Sequence, residues 1–179
     1  VCISDQNEAC TFDAVSGLLA DGVFPQPFKY CSCYMKRNRE YPDRPIVGVG
    51  VVLFHKDQVL LVRRGNPPRQ GEWSLPGGKQ KLGETLKEAA RREVLEETGL
   101  EMKNIKLIDV VDSIIHDAGN SILYHYSLVD WMAEYSSGEL RPGGDADDAR
   151  WFEMDRLSDL GLWEKTLEII FRSAEERTE

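Results

Sequence analysis

The stretch GGKQKLGETLKEAARREVLEETGL, Gly77–Leu100, decides how the rest of the chain is read. It opens on two glycines, passes an isolated acid at Glu84 and ends in a charged run closed by Gly99. Thr85 followed three residues later by Glu88 forms a capping box. Each side chain can satisfy the other's free backbone N–H, so a helix is expected to begin near Leu86. Leu86, Ala89, Ala90 and Val94 recur at helical spacing and predict its buried stripe. Gly99 can end the helix in the left-handed conformation, which glycine adopts without steric penalty.

On that helix Glu93, Glu96 and Glu97 stand at i, i+3 and i+4, so they share one face with Cβ atoms about 5–6 Å apart. Three carboxylates so placed repel one another unless positive charge sits among them. A solvated charged face is one reading, because Lys87, Arg91 and Arg92 are interleaved with the acids. A hard divalent cation is the other. Mg2+ takes oxygen ligands, keeps several waters and is commonly completed by phosphates. It can polarise a phosphoryl oxygen and generate a hydroxide nucleophile. Gly77 and Gly78 would let backbone approach a phosphate or present a carbonyl to the ion.

Outward from the helix, the pattern is a succession of strands and loops closed by a second helix. IVGVGVVLF, Ile46–Phe54, is a continuous apolar and β-branched run, the signature of a buried strand. VLLVRR, after the turn HKDQ, reads as its hairpin partner. GNPPRQGEW is a loop, and WSLP a short strand leading into the glycines. Beyond the helix, IKLIDVVDSII and SILYHYSLVDW predict two strands around the loop HDAGN. SSGELRPGGDADDA is expected to be a long acidic loop, RWFEM a last short strand, and LWEKTLEIIFRSAEE an amphipathic helix. Leu167, Ile170, Phe171 and Ala174 would form its apolar face. Residues 1–45 hold all four cysteines and half the prolines, and are expected to be an N-terminal extension to a domain spanning 46–179.

Bulk properties bound the function. The chain has 179 residues, enough for one well-cored domain, with 41% apolar and 30% charged residues. A net charge of −9 argues against nonspecific binding to nucleic acid or anionic membranes. It does not exclude an anionic small substrate, because a bound cation reverses the local field. No apolar run reaches the length of a membrane span. VCISDQNEAC lacks the basic and apolar regions of a secretory signal, which predicts a cytoplasmic location. Cys2, Cys10, Cys31 and Cys33 read as reduced thiols, with a disulfide or a metal site as alternatives. His55, His116 and His125 have no metal-ligand spacing.

The spacing of the helix region resembles the signature of the Nudix (MutT-like) hydrolases, Gly-x5-Glu-x7-Arg-Glu-U-x-Glu-Glu-x-Gly-U, where U is a bulky aliphatic residue. Gly78, Glu84, Arg92, Glu93, Val94, Glu96, Glu97, Gly99 and Leu100 occupy every specified position. The resemblance covers about residues 45–172. It implies an α/β/α sandwich with a mixed β-sheet. It also implies Mg2+- or Mn2+-dependent hydrolysis of a nucleoside diphosphate linked to another moiety, by water attacking one phosphorus of the pyrophosphate. Glu93, Glu96 and Glu97 would be the main metal ligands, with the Gly77 carbonyl as a further one and Glu84 behind them or on an additional ion. Arg92 would orient a catalytic glutamate through a bidentate pair that lysine could not replace. The general base stays open among Glu93, Glu139, Asp145, Asp147 and Asp148.

Arg63, Arg64, Gly78, Asp147 and Trp163 are candidates for substrate contact, the arginines for phosphates and Trp163 for stacking on a base. Trp73 and Trp151 read as core. Trp163 resembles the base-contacting tryptophan of oxidised-purine triphosphatases, but Glu164 and Lys165 stand where an acidic pair is expected. DSIIHDAGN also lacks the downstream proline often found in ADP-ribose pyrophosphatases. The preferred substrate is ADP-ribose-like or a nucleotide sugar, with a nucleoside triphosphate, including oxidised ones, as the alternative. A messenger-RNA 5′-end hydrolase is disfavoured by the charge. A non-catalytic nucleotide sensor would be expected to have lost acids from the signature. The resemblance leaves a homodimer open, and the sequence gives no handle on oligomeric state.

Overall fold

In this computed structural model residues 39–178 are described. The four cysteines, and the expectation about their chemistry, lie outside the described residues.

Strand β1 (Ile46–His55) turns at Lys56, whose φ is 55°, into β2 (Gln58–Arg64). β3 (Trp73–Ser74) and β4 (Gly77–Lys79) are short. Helix α1 spans Leu86–Thr98. β5 (Leu100–His116) and β6 (Ile122–Gly138) form a long hairpin, followed by β7 (Ala146–Glu153), a 3₁₀ turn (Met154–Leu160) and α2 (Glu164–Thr178).

All seven strands join one sheet along the path β3-β2-β1-β6-β5, with β4 added to β1 and β7 to β2. β1 runs parallel to β6 from Ile46↔Tyr126 to Phe54↔Glu134, and every other pairing is antiparallel. The sheet is therefore mixed. β1 is apolar throughout because helices cover both of its faces. Val49, Val51 and Leu53 pack with Ala89, Ala90 and Val94 of α1. Val52 and Phe54 pack with Ile169 and Ile170 of α2 on the other side. This is the α/β/α sandwich with a mixed sheet that the family resemblance implies.

The ends of α1 are those the sequence specifies. The Thr85 hydroxyl accepts the Glu88 N–H, and the Glu88 carboxylate accepts the Thr85 N–H at 2.7 Å. Gly99 closes the helix at φ 71°.

The structure differs from expectation in three places. β5 and β6 are 17 residues each, so the strands extend well beyond the expected segments. The expected loop over 136–149 shrinks to 139–145, because each end is drawn into a strand that pairs with a neighbour, β6 with β5 and β7 with β2. On α2 the buried stripe runs through Ile169, Ile170 and Ser173, leaving Phe171 42% exposed. Leu167, Ile170 and Ala174 do belong to the core, but Phe171 falls one position off the stripe facing the sheet.

The shortened loop docks on the C-terminus of α1. The Arg141 N–H donates to the Thr98 carbonyl and the Gly143 N–H to the Glu97 carbonyl, at 2.9 and 3.0 Å. Two carbonyls that a helix end leaves without partners are thereby satisfied. A Cβ on Gly143 would lie 2.7 Å from the Glu96 carbonyl oxygen, so only glycine allows this approach. At the other end of the described chain, the Tyr41 N–H donates to the Leu123 carbonyl and its hydroxyl to Asp117. Tyr124 donates to Glu40.

Candidate functional site

β4 and α1 build the centre of the site. Gly77 sits beside Gly50 of β1 so closely that a Cβ on it would fall on the Val49 carbonyl oxygen. Its N–H donates to Glu97 Oε2 at 2.9 Å. A Cβ on Gly78 would lie 2.5 Å from the Glu93 carboxylate. The two glycines therefore let the sheet edge approach α1 until two of its carboxylates bracket the backbone.

Arg92 organises the remaining acids. Its Nε and Nη2 form a fork on Glu84 at 2.9 and 2.6 Å, while Nη1 reaches Glu93 at 2.7 Å and Glu96 at 3.1 Å. Nη2 also donates to the Lys79 carbonyl. The Arg92 hydrogen bonds, helped by the Lys81 backbone N–H, hold the Glu84 carboxyl down at about 2. The fork falls on Glu84, expected behind the metal ligands, whereas the expected catalytic acids Glu93 and Glu96 each receive a single contact from Nη1. Lys81 adds a second cation, 3.3 Å from Glu96. The repulsion among the clustered acids is thus partly offset within the protein.

Glu97 is different. It is 7% exposed and accepts one hydrogen bond among the described residues. Burial pushes its carboxyl up to about 7; Glu93 and Asp145 reinforce the rise, and the Gly77 N–H and Arg64 oppose it. A buried carboxylate short of counter-charge is strongly disfavoured unless a cation joins it. Among the described residues no three acid, histidine or cysteine side chains converge as a metal site, Arg92 being bonded to Glu93 and Glu96. The donor set nevertheless suits a hard divalent ion. It is all oxygen, Glu93 and Glu97 flank the same two glycines, and Glu97 has spare acceptor capacity.

The remaining sequence candidates separate cleanly. Arg64 is partly buried, donates from Nε to the Pro68 carbonyl, and lies in the fields of Glu97, Tyr126, Arg39 and Arg69. Burial lowers its pKa, the sign of a guanidinium held out of water. Arg63 faces solvent and bonds the Gly71 carbonyl, away from the carboxylates. Trp163 is capped by the Arg69 guanidinium, 4.6 Å from its ring centroid. Trp73 packs edge-on to Phe152, and Trp151 against His55 and Tyr135, both as core residues.

Of the loop acids, Glu139 pairs with Arg141, and Asp148 pairs with Arg150 at 2.6 Å. Asp147 is exposed and lies against Gly65. The Asp145 charge adds to the rise of the Glu97 carboxyl, and Asp145 faces Arg39 at 3.5 Å. Sequence reading missed Arg39, Arg69, Tyr126 and Asp130. The last could have been noticed as an acid inside the apolar run SLVDWMA.

The NUDIX domain family model matches residues 44–172. An ADP-ribose pyrophosphatase of Methanocaldococcus jannaschii is 35% identical over 72% of this chain and 73% of its own. A MutT NUDIX hydrolase crystal structure from Burkholderia pseudomallei superposes with a TM-score of 0.64 at 32% identity, covering 73% of this chain and 98% of that one. The NUDIX domain of Shewanella oneidensis NrtR, crystallised with ADP ribose, shares the fold with a TM-score of 0.63 at 24% identity. That likeness covers 83% of this chain and 94% of the other.

Proposed function

The chain belongs to the Nudix hydrolase family, and from that premise we propose that it hydrolyses the pyrophosphate bond of an ADP-ribose-like nucleoside diphosphate with the help of Mg2+ or Mn2+. The observation that carries this reading is the bracketing of Gly77–Gly78 by Glu93 and Glu97, with Arg92 tying Glu84, Glu93 and Glu96 into one cluster. The relative from Methanocaldococcus jannaschii supports the substrate class.

Glu93, Glu96, Glu97 and the Gly77 carbonyl are the groups that would hold the ion. When bound it would supply Lewis acidity toward a phosphoryl oxygen and toward water. The protein's own residues do the rest. Arg64, partly buried and within the field of Glu97, is the side chain we assign to a phosphate oxygen. Arg92 fixes Glu93 so that its carboxylate does not swing away from the glycines. Glu93 and Asp145 are the acids we favour to take a proton from the attacking water, Glu93 because it lies against Gly78 and Asp145 because its charge reaches Glu97. The new bond joins the water oxygen to phosphorus, the bridging P–O bond breaks, and the second phosphate leaves with the electron pair. The Trp163 face, backed by Arg69, offers a stacking surface for the base.

A panel of nucleotide sugars, ADP-ribose and nucleoside triphosphates, each with Mg2+ and Mn2+, tests the proposal. ADP-ribose-like compounds should be the best substrates, and Glu97→Gln should abolish turnover of all of them. A preference for triphosphates would favour nucleotide sanitising. Tight binding of ADP-ribose without turnover would favour a sensor. Among the described residues no helix is long and apolar enough to cross a membrane.

A further inference from the structure

Asp130 lies in the middle of β6, in register with Gly50 of β1 and with Asp109 of β5. It is 7% exposed. A Cβ on Gly50 would collide with its Oδ1, so the carboxyl lies over the β1 backbone in space that only glycine leaves open. Leu75 closes the same spot, with Cδ1 3.6 Å from the Gly50 Cβ position. Among the described residues no group donates a hydrogen bond to Asp130. Its near charge is Asp109, of the same sign and itself paired with Arg172 of α2. Buried polar groups almost always have partners; among the described residues the fully buried side-chain atom without one is Trp131 Nε1, so the Asp130 oxygens keep an opening to solvent and to a ligand.

The position suggests one. β6, β1 and β4 lie side by side, with Asp130, Gly50 and Gly77 in line. Two strand spacings therefore separate Asp130 from the glycine that holds Glu97, about 10 Å. Residues alternate across a strand, so Tyr126, Leu128 and Asp130 share one face. Tyr126, at the start of that row, lies in the field of Arg64, the phosphate candidate. Met132, next in the row, packs in the cluster covered by α2, whose first turn follows Trp163. The row thus runs from a tyrosine in the field of the phosphate candidate toward the helix that Trp163 precedes.

We propose that Asp130 is a specificity-determining residue whose carboxyl accepts a hydrogen bond from an N–H or O–H donor on the nucleoside half of the substrate. The proposal rests on the pyrophosphohydrolase reading above and adds to it the group that selects the nucleoside. It accounts for the missing partner: the substrate supplies the donor. A donor on the base and a hydroxyl on the ribose have the same chemistry here, and substrate analogues separate them.

The test measures kcat/KM of the full chain for three compounds: ADP-ribose, its hypoxanthine analogue, and its analogue lacking the 2′-hydroxyl of the adenosine. In the analogues the adenine amino donor becomes a carbonyl acceptor, or the hydroxyl donor is lost. One analogue should be poorer than ADP-ribose by about 10- to 100-fold, the value of a hydrogen bond to a charged acceptor. Asp130→Ala should bring that ratio to within about twofold of unity. If the base is the source, Asp130→Asn should shift selectivity toward the hypoxanthine compound, because its amide N–H can donate to the new carbonyl. A residue that served only packing would leave these ratios unchanged. Wild-type protein that hydrolyses all three equally, or variants that keep the wild-type ratios, overturn the role of Asp130 and leave the pyrophosphohydrolase reading intact. Hydrolysis of none of them by wild-type protein overturns both.

Discussion

Replacing Asp130 by asparagine should stabilise the protein, and by an amount that depends on pH. Burial, reinforced by Asp109, pushes the Asp130 carboxyl from 3.8 up to about 6. Between those values the folded state holds a proton that the unfolded chain has released. The folded state then binds more protons, so stability falls as pH rises through this window. Below 3.8 both states are protonated and the side chain costs nothing extra; above about 6 the full penalty is present. At about 1.4 kcal/mol per pH unit of displacement, the penalty is about 3 kcal/mol. With so little of the side chain exposed, solvent screening removes little of it. Asparagine has nearly the shape of the protonated acid and cannot ionise.

Urea unfolding of both proteins across this pH range measures the difference directly. The variant should match wild type near pH 3.8 and exceed it by about 3 kcal/mol near neutrality. Titration of Asp109, Glu97 and other acids common to both proteins largely cancels in the difference. A stability difference that stays constant across the range would refute the reasoning, because it would mean that Asp130 carries no shifted proton.

Other substitutions probe the site and its scaffold. Glu97→Gln should keep the Gly77 hydrogen bond and a melting temperature at or above that of wild type near neutrality, because it removes a buried ionisable acid, while turnover falls by orders of magnitude, as scanning calorimetry and steady-state kinetics would show. Arg92→Lys cannot reproduce the fork on Glu84 together with the reach to Glu93 and Glu96, so kcat should drop well below wild type in the same assay. Gly77→Ala drives a Cβ into the Val49 carbonyl, which is backbone and cannot swing aside; thermal unfolding should reveal a loss of about 1–3 kcal/mol or more. Thr85→Ala removes half of the capping box and should cost about 1 kcal/mol in urea titrations, with activity retained under native conditions.

Much of this architecture was legible in local sequence. Thr85 and Glu88 announce the start of α1 and Gly99 its end because capping is decided within a few residues. The apolar run in β1 implies cover on both faces, and both helices are there. What escaped depends on distant partners. Strands β5 and β6 extend each other by pairing, which no window of either segment reveals. Arg63 and Arg64 look equivalent in sequence, yet Arg63 is exposed and bonds the Gly71 carbonyl, whereas Arg64 is partly buried in the field of Glu97. Asp145 stands among the candidate acids that sequence does not rank; what singles it out is its field at Glu97, next to a loop whose residues 141–143 dock on the end of α1 more than forty positions away. Asp130 reads as a stray acid until the glycine opposite it is known.

The central claim is that the acids around Gly77–Gly78 serve hydrolysis of a pyrophosphate bond. Phosphorus NMR of the full chain with ADP-ribose tests it most directly, run in parallel with Mg2+, with Mg2+ and excess EDTA, and with Glu97→Gln in Mg2+. The account predicts that the pyrophosphate resonances disappear and two monophosphate resonances appear in the first sample alone. Pyrophosphate resonances that persist with Mg2+ and with Mn2+, in protein shown by calorimetry to be folded, would contradict it.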